Sequence, residues 1–97
     1  MTYEIREYLV DEMEDEEILS HVWFQVKDID EAMKAIFKRV FGDNEPVHSK
    51  NEWTGHNCWT LGDYSLWETY SIFGMRFDLD NNVGPETIKR YVIEEAA

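Results

Sequence analysis

The segment LSHVWFQVKDIDEAMKAIFKRVFG, residues 19–42, predicts one buried strand that leads directly into one amphipathic helix. Residues 21–26 are rich in β-branched and aromatic side chains over a length typical of a strand. The signals for a helix follow within two residues and are stronger. The other elements of the chain must therefore cover the apolar face of this helix.

The predicted helix carries signals for both its start and its end. Asp28 is a suitable N-cap, and Glu31 stands at the spacing of a capping box. Gly42 fits a left-handed C-cap. Apolar residues between the caps recur with a period of about 3.6 residues; they are Ile29, Met33, Ile36, Phe37 and Val40. This face predicts that Phe37 is a central core residue packed on the strand around Trp23.

Two interpretations compete for residues 2–10. The spacing of Ile5, Tyr8 and Leu9 fits a helix, whereas the β-branched and aromatic content fits a strand. We favour a strand that pairs with residues 21–27, so that residues 11–17 form the tip of a hairpin. Six of the seven residues in this tip are acidic. The tip is therefore expected to be exposed in either interpretation.

The chain after the helix predicts further strands. Residues 43–57 form a polar connection, and two short strands are expected at 58–61 and 65–70, around a turn at Gly62 and Asp63. Strict alternation of apolar and polar residues predicts a half-buried strand at 73–79. The turn-forming residues that follow close this strand.

The C-terminal segment predicts a second helix. Pro85 suits a first helical position, and Ile88, Tyr91 and Val92 share helical spacing. The resulting order β-β-α-β-β-β-α predicts an α+β fold. We expect a single small domain, residues 1–97, whose mainly antiparallel β-sheet has about two α-helices packed on one face.

Length and cysteine content point to a small intracellular domain. The chain of 97 residues suits one modest core. No apolar run reaches the roughly 18 residues of a membrane span, and no secretory signal pattern opens the chain. The single cysteine, Cys58, excludes an intrachain disulfide and fits a reducing compartment. A cytoplasmic location is expected.

The residues that invite a catalytic or metal-binding interpretation form no established pattern. His48, His56 and Cys58 lack the paired spacing of a structural zinc site, and Cys58 is interpreted as a small buried residue. Glu52 and Glu68, each beside a tryptophan, are interpreted as solvated strand positions. We predict no enzyme, no metal and no cofactor. A small thiol or metal enzyme built on His48, His56 and Cys58 remains an alternative to the two binding functions described below.

Acidic residues dominate the charge of the chain and concentrate near its start. The chain has 21 acids and 9 bases, for a net charge of −12. Residues 1–31 contain 11 of the acids and only two of the bases. Such a surface opposes direct binding to DNA, RNA or an anionic membrane, because the phosphate charge has the same sign.

Carboxylates held on strands, turns and helix ends can imitate the phosphates of duplex DNA. Spacings of about 6 to 7 Å between neighbours on one face suit a basic DNA-binding groove. The candidate residues are Asp11, Glu12, Glu14, Asp15, Glu16 and Glu17 in the hairpin tip, and Asp28, Asp30 and Glu31 at the helix start. If one end of the sheet gathers both groups, nine carboxylates share one surface.

The segment MTYEIREYLVDEMEDEE, together with HVWFQVKDIDEAMKAIF, resembles a phage anti-CRISPR protein of the acidic DNA-mimic kind. It is most similar to an inhibitor of the type I-F CRISPR surveillance complex. The resemblance implies that the protein works in the bacterial host cytoplasm. There it would occupy the basic cleft in which this complex holds target duplex beside the PAM, so that DNA is excluded.

A second function is compatible with the same charge pattern. An acidic interaction protein would block another basic host partner, such as a nuclease, a restriction enzyme or a transcription protein. Reversal of the N-terminal acids separates both of these functions from an enzyme. Identification of the bound partner separates them from each other.

Overall fold

A computed structural model describes residues 2–71, 74–84 and 86–96, which form seven strands and one helix. The elements in chain order are β1 Thr2–Asp11, β2 Glu16–Val26, α1 Ile29–Phe41, β3 Val47–Lys50, β4 Asn57–Leu61, β5 Tyr64–Ser71, β6 Gly74–Asn81 and β7 Glu86–Ala96. No described helix combines the length and the apolar content that crossing a bilayer requires.

All seven strands belong to one antiparallel sheet with the order β2-β1-β7-β6-β5-β4-β3. Strands β3 to β7 follow one another as a meander, and the N-terminal hairpin then pairs with the last strand through β1. Because α1 connects the two edge strands β2 and β3, it must cross one face of the sheet. The hairpin tip, the β4–β5 turn and the β6–β7 turn lie at the same end of the strands.

The predicted N-terminal hairpin is confirmed, and its second strand is longer than expected. The pairing of β1 with β2 extends from Tyr3 and Val26 at one end to Asp11 and Glu16 at the tip. The Asp11 carboxylate closes the turn by accepting hydrogen bonds from the backbone N–H groups of Met13, at 3.1 Å, and Glu14, at 3.3 Å. The local strand signal in residues 2–10 therefore outweighs their helical spacing.

The predicted helix is also confirmed at both ends. The Asp28 carboxylate accepts a hydrogen bond from the Glu31 backbone N–H at 2.8 Å. The Glu31 carboxylate in turn accepts one from the Lys27 N–H at 2.8 Å. At the other end, Gly42 has a φ of 63° and its N–H donates to the Lys38 carbonyl at 3.0 Å. Hydrogen bonds between residues close together in the chain thus define both ends of α1.

The predicted α+β fold with about two helices is wrong, because the C-terminal segment is a strand. Strand β7 lies near the middle of the sheet, between β1 and β6. Its residues Tyr91 and Ile93 are two apart on the same face of the strand, and both are buried. Val92 lies between them on the opposite face, so the helical arrangement that placed Tyr91 and Val92 together does not occur. Pro85, predicted to open the second helix, lies outside the described residues. The domain is a mainly β structure in which α1 is the one described helix.

Pairing across the sheet explains why helical spacing failed in this segment. Without β7, the facing edges of β1 and β6 would have unpaired N–H and C=O groups. An eleven-residue strand between them pairs with both edges.

Two further differences from the sequence prediction concern strand limits. The polar connection at 43–57 contains the short edge strand β3, and β6 begins at Gly74 in the described residues, with Phe73 of its predicted start lying outside them.

The core lies between α1 and the sheet face that it crosses. Its buried residues are Ile5, Val26, Ala32, Ile36, Phe41, Leu66, Phe77, Leu79, Tyr91 and Ile93. Phe37 is half-buried and packs against this core. Its ring contacts those of Trp59, with 4.8 Å between ring centres, and Phe41, at 5.9 Å. Phe37 was predicted to pack on the strand around Trp23, whereas in the structure its ring contacts Trp59 of β4.

Two phenylalanines on strands test this placement of the core. Phe77 is fully buried in β6, and Phe24 is 68% exposed on β2. We expect Phe77→Ala to reduce the free energy of unfolding by about 3–5 kcal/mol, because it leaves a cavity in the core. Phe24→Ala should change it by less than about 0.5 kcal/mol. Urea unfolding of both variants measures the difference, and equal effects would contradict the described sheet.

Candidate functional site

The hairpin tip presents its six acidic residues to solvent. Asp11, Glu12, Glu14, Asp15, Glu16 and Glu17 are all exposed. Three of them also make contacts that hold the tip: Asp11 closes the turn, Glu12 accepts from the Thr87 backbone N–H at 2.9 Å, and Glu17 pairs with Arg90. The side chains of Glu14, Asp15 and Glu16 make no hydrogen bond or ion pair within the described part of the chain.

Two other turns add acids to the same end of the sheet. The Glu12 contact joins the tip to the start of β7, and the Asn82 N–H donates to the Asp63 carbonyl at 2.7 Å. This second bond joins the β6–β7 turn to the β4–β5 turn. We name the resulting surface the acidic end; it consists of Asp11, Glu12, Glu14, Asp15, Glu16, Glu17, Asp63, Asp80 and Glu86.

Three members of the acidic end were missed as site residues because they belong to distant parts of the sequence. Asp63, Asp80 and Glu86 are separated from the hairpin tip by more than forty residues of chain. Each stands in or beside a turn, which is the signal that the sequence does contain. That these turns lie beside the tip follows only from the direction of β7. The sequence predicted a helix in place of this strand and therefore did not bring the turns and the tip together.

Arg90 is the base that holds the acidic end to the body of the sheet. It pairs with Glu17, and its Nε donates to Asp78 Oδ1 at 2.8 Å. Burial raises the pKa of Asp78, and the nearby charges of Asp80 and Glu12 raise it further, while Arg76 opposes them. Glu12 and Asp80 of the acidic end therefore act electrostatically on a carboxylate inside the sheet.

An open cavity of about 570 Å³ lies within the acidic end. Its walls are formed by Val10, Asp11, Glu12, Asp15, Glu16, Glu17 and Arg90. The described residues contain no group of three or more His, Cys, Asp and Glu side chains arranged to hold a metal ion. The cavity is a concave surface lined mainly by carboxylates, with Arg90 in its wall.

The acids at the helix start lie far from the hairpin tip. Asp28, Asp30 and Glu31 follow the end of β2, and the tip precedes its start. Eleven residues at about 3.3 Å per residue place the two groups roughly 30 Å apart, within a longest dimension of 38 Å. The condition under which one end of the sheet would gather all nine carboxylates is therefore not met. They form two groups, one at each end of β2.

Two of the three acids at the helix start have a structural role. Asp28 and Glu31 accept the capping hydrogen bonds of α1 and remain exposed. The Asp30 side chain is exposed and has no hydrogen bond or ion pair within the described ranges. This smaller group, which we name the helix-start acids, consists of Asp28, Asp30 and Glu31.

Cys58 and His48 lie on opposite faces of the sheet and do not form a nucleophile pair. Cys58 is buried, as expected, and its Sγ lies 3.7 Å from the Thr60 hydroxyl. His48 instead hydrogen-bonds Asn57 at 2.8 Å and stacks on Trp59, with 5.5 Å between ring centres. Asn57 and Trp59 flank Cys58 in β4, so their side chains point to the face opposite that of Cys58.

Glu68 is buried, which contradicts its interpretation as a solvated strand position. Its side chain accepts a hydrogen bond from Asn57 Nδ2 at 2.8 Å, and only 3% of the residue is exposed. Because Asn57 also bonds His48, the three side chains form one polar network between β3, β4 and β5. Glu52, the other acid beside a tryptophan, is exposed as expected.

A second buried carboxylate, Glu7, lies under the helix. Glu7 is fully buried, accepts from the Tyr91 hydroxyl at 2.6 Å, and accepts two hydrogen bonds from Arg39 at 3.1 and 3.2 Å. Burial alone would raise the pKa of Glu7, but the bonds from Arg39 and Tyr91 and the charge of Lys89 outweigh it. The pKa is therefore lowered. Burial and this carboxylate raise the pKa of Tyr91.

Comparison with known proteins adds no relative to this description. No family model matches the chain, no curated protein matches it, and no solved structure matches it.

The lowered pKa of Glu7 predicts a pH-dependent effect of Glu7→Gln. We expect the variant to lose about 1.5–3 kcal/mol of stability near neutral pH, because hydrogen bonds to a charged group are lost. The unfolded carboxyl titrates near 4.5 and the folded one below it. The stabilisation is therefore complete above that pH and disappears as the pH falls through the folded pKa.

Urea unfolding at about pH 7 and about pH 3 measures this effect. Glu4→Gln on the same strand is the control, because the ion pair of Glu4 with Arg6 is partly exposed and is worth less than about 1 kcal/mol. A difference between the wild type and Glu7→Gln that is the same at both pH values would show that Glu7 is not an ionised partner of Arg39.

Proposed function

We propose that the protein is a non-catalytic inhibitor that mimics double-stranded DNA and occupies a basic DNA-binding cleft. The partner proposed is the type I-F CRISPR surveillance complex, in the bacterial host cytoplasm. The observation that carries the proposal is the acidic end, where three turns bring nine carboxylates together. Duplex DNA has about one negative charge per 1.7 Å of its axis, so a dense acidic surface is required of a mimic.

The placement of the two acidic groups supports mimicry of a duplex over about one helical turn. The acidic end and the helix-start acids are separated by roughly 30 Å along β2. One turn of B-DNA measures about 34–36 Å, so phosphates one turn apart on a strand have a similar separation. A basic groove that contacts phosphates at both positions would therefore meet carboxylates at both positions.

The carboxylates without internal partners are the ones available to a basic protein. Within the two acidic groups, the described residues that meet this condition are Glu14, Asp15, Glu16, Asp30, Asp63 and Glu86. Asp11, Glu12 and Glu17 instead also support the tip. Complementary charge mainly accelerates association and selects the partner. Close charge pairs that become desolvated couple by about 1.5–7 kcal/mol, and pairs at the rim by much less.

A variant that removes charge without removing structural hydrogen bonds tests the proposal. Glu14→Lys, Asp15→Asn and Glu16→Lys together change the acidic end while Asp11 and Glu12 remain. Asparagine is chosen at position 15 because its φ is 51°, a conformation that asparagine tolerates. The matched control is Asp43→Asn, Glu45→Lys and Glu52→Lys, which makes the same charge change at exposed positions elsewhere.

We expect the acidic-end variant to lose at least about tenfold in affinity for the type I-F complex and to lose its competition with target duplex. The control variant should retain most of its affinity for the complex and most of its competition with target duplex. Binding of the wild type should weaken steeply with added salt, because exposed charges are screened. Full competition by the folded acidic-end variant would contradict mimicry, as would binding of duplex and protein to the complex at the same time.

A separate variant tests the helix-start acids. Asp28→Ser keeps an N-cap, Glu31→Gln keeps the capping-box acceptor, and Asp30→Lys reverses the remaining charge. A smaller loss of affinity than for the acidic-end variant is expected, because this group has fewer carboxylates. Competition for a different basic host protein, with no effect on the type I-F complex, would replace the partner named in this proposal.

A further inference from the structure

Strand β2 is a long, unpaired edge of the sheet. It pairs with β1 on one side, and no described element pairs with its other side over the eleven residues Glu16–Val26. The opposite edge, β3, has only four residues, Val47–Lys50. Proteins usually shorten, charge or cover such edges. The exposed length of β2 therefore calls for a functional explanation.

This edge carries exposed apolar side chains in both of its halves, with Ser20 and His21 exposed between them. Ile18, Leu19 and Phe24 are 59%, 51% and 68% exposed, and Leu9, the β1 neighbour of Ile18, is 43% exposed. No charged residue occurs between Glu17 and Lys27. The acidic end lies at one end of this stretch and the helix-start acids at the other. An apolar centre with a polar rim is the usual anatomy of a protein interface.

We propose that Ile18, on the face of β2 that α1 covers, and Leu19 and Phe24, on the opposite face, form the apolar centre of a partner-binding surface that encloses this edge between the two acidic groups. The inference rests on the proposed function and extends it. Its occupant is a protein surface with an apolar patch between two basic patches roughly 30 Å apart. A DNA duplex has no counterpart of these side chains, so they would supply contacts that the mimicked ligand lacks.

Repulsion between like charges disfavours a second copy of the chain as the occupant of this edge. Antiparallel pairing of two β2 strands would place the acidic end of one copy beside the helix-start acids of the other. Parallel pairing would place each acidic group beside its own equivalent. Both arrangements bring like charges together, at a net charge of −12 for each copy. A basic partner removes this repulsion.

Irregular backbone geometry favours side-chain contacts over addition of a partner strand. The register of β1 and β2 shifts between Glu7 and Tyr8, opposite Ser20, and again near the end of β2. Gln25 there has a φ of 56°. Such bulges bend an edge and interrupt its regular row of hydrogen-bonding groups. The apolar side chains therefore carry the contact.

The test compares the apolar centre with the acidic end in one assay. Ile18→Thr, Leu19→Thr and Phe24→Thr are combined, because threonine keeps a high strand propensity and all three side chains are more than half exposed. Affinity for the type I-F complex is measured at several salt concentrations. The matched control is Val47→Thr with Trp53→Thr, which removes apolar side chains that are 73% and 95% exposed elsewhere.

We expect the triple variant to bind about tenfold more weakly at every salt concentration, with an unchanged salt dependence. The acidic-end variant should instead have a shallower salt dependence. Unchanged affinity of the triple variant overturns the inference but leaves DNA mimicry intact. Equal losses for the triple variant and the control also overturn it, since the edge would then have no special role.

Folding and self-association complete the experiment. Thermal unfolding establishes that the triple variant is folded, and Phe24→Thr alone is the substitute if it is not. Sedimentation of the wild type is expected to show a monomer. A dimer that the triple variant dissociates would assign this edge to a second copy and overturn the inference. Failure of the wild type to bind the complex would remove the proposed function and this inference together.

Discussion

The pairing of the first strand with the last is the contact on which the rest of the structure depends. Strand β1 joins β7 over eight residue pairs, from Thr2 and Ala96 to Leu9 and Lys89, and so attaches the N-terminal hairpin to the C-terminal meander. Glu7 and Tyr91 face each other in this ladder and share a hydrogen bond of 2.6 Å. Arg39 reaches the same carboxylate from α1. One buried carboxylate therefore connects hairpin, meander and helix.

This connection determines where the negative charge is displayed. The hairpin extends its tip to the end of the sheet at which two turns of the meander also carry acids. Hydrogen bonds from Thr87 and Asn82 fix the three turns relative to one another. Repulsion among these carboxylates opposes folding, and the buried pairing of β1 with β7 must compensate for it. A surface held against its own repulsion is preorganised for a basic partner, since the cost of gathering the charges is met before binding.

The elements that sequence reasoning predicted correctly are those with local physical causes. The capping residues and the 3.6-residue period define α1, and the strand content on either side of an acidic tip defines the hairpin. The short strands around Gly62 have the same kind of local signal, and Gly62 adopts a φ of 60° in that turn. By contrast, the spacing of Ile88, Tyr91 and Val92 suits a helix as well as a strand, and only the need of β1 and β6 for partners decides between them.

The sequence by itself determined the charge, its concentration in the first third of the chain and the capped helix, and it favoured the hairpin, because each follows from residues close together in the chain. Tertiary structure alone decided that the tip and the helix-start acids lie at opposite ends of β2, since strand length and direction separate them. It also decided that Asp63, Asp80 and Glu86 join the tip, and that Glu7 and Glu68 are buried. A carboxylate has the same formal charge at every position, and only its neighbours across the sheet determine whether it faces solvent or a hydrogen-bond donor.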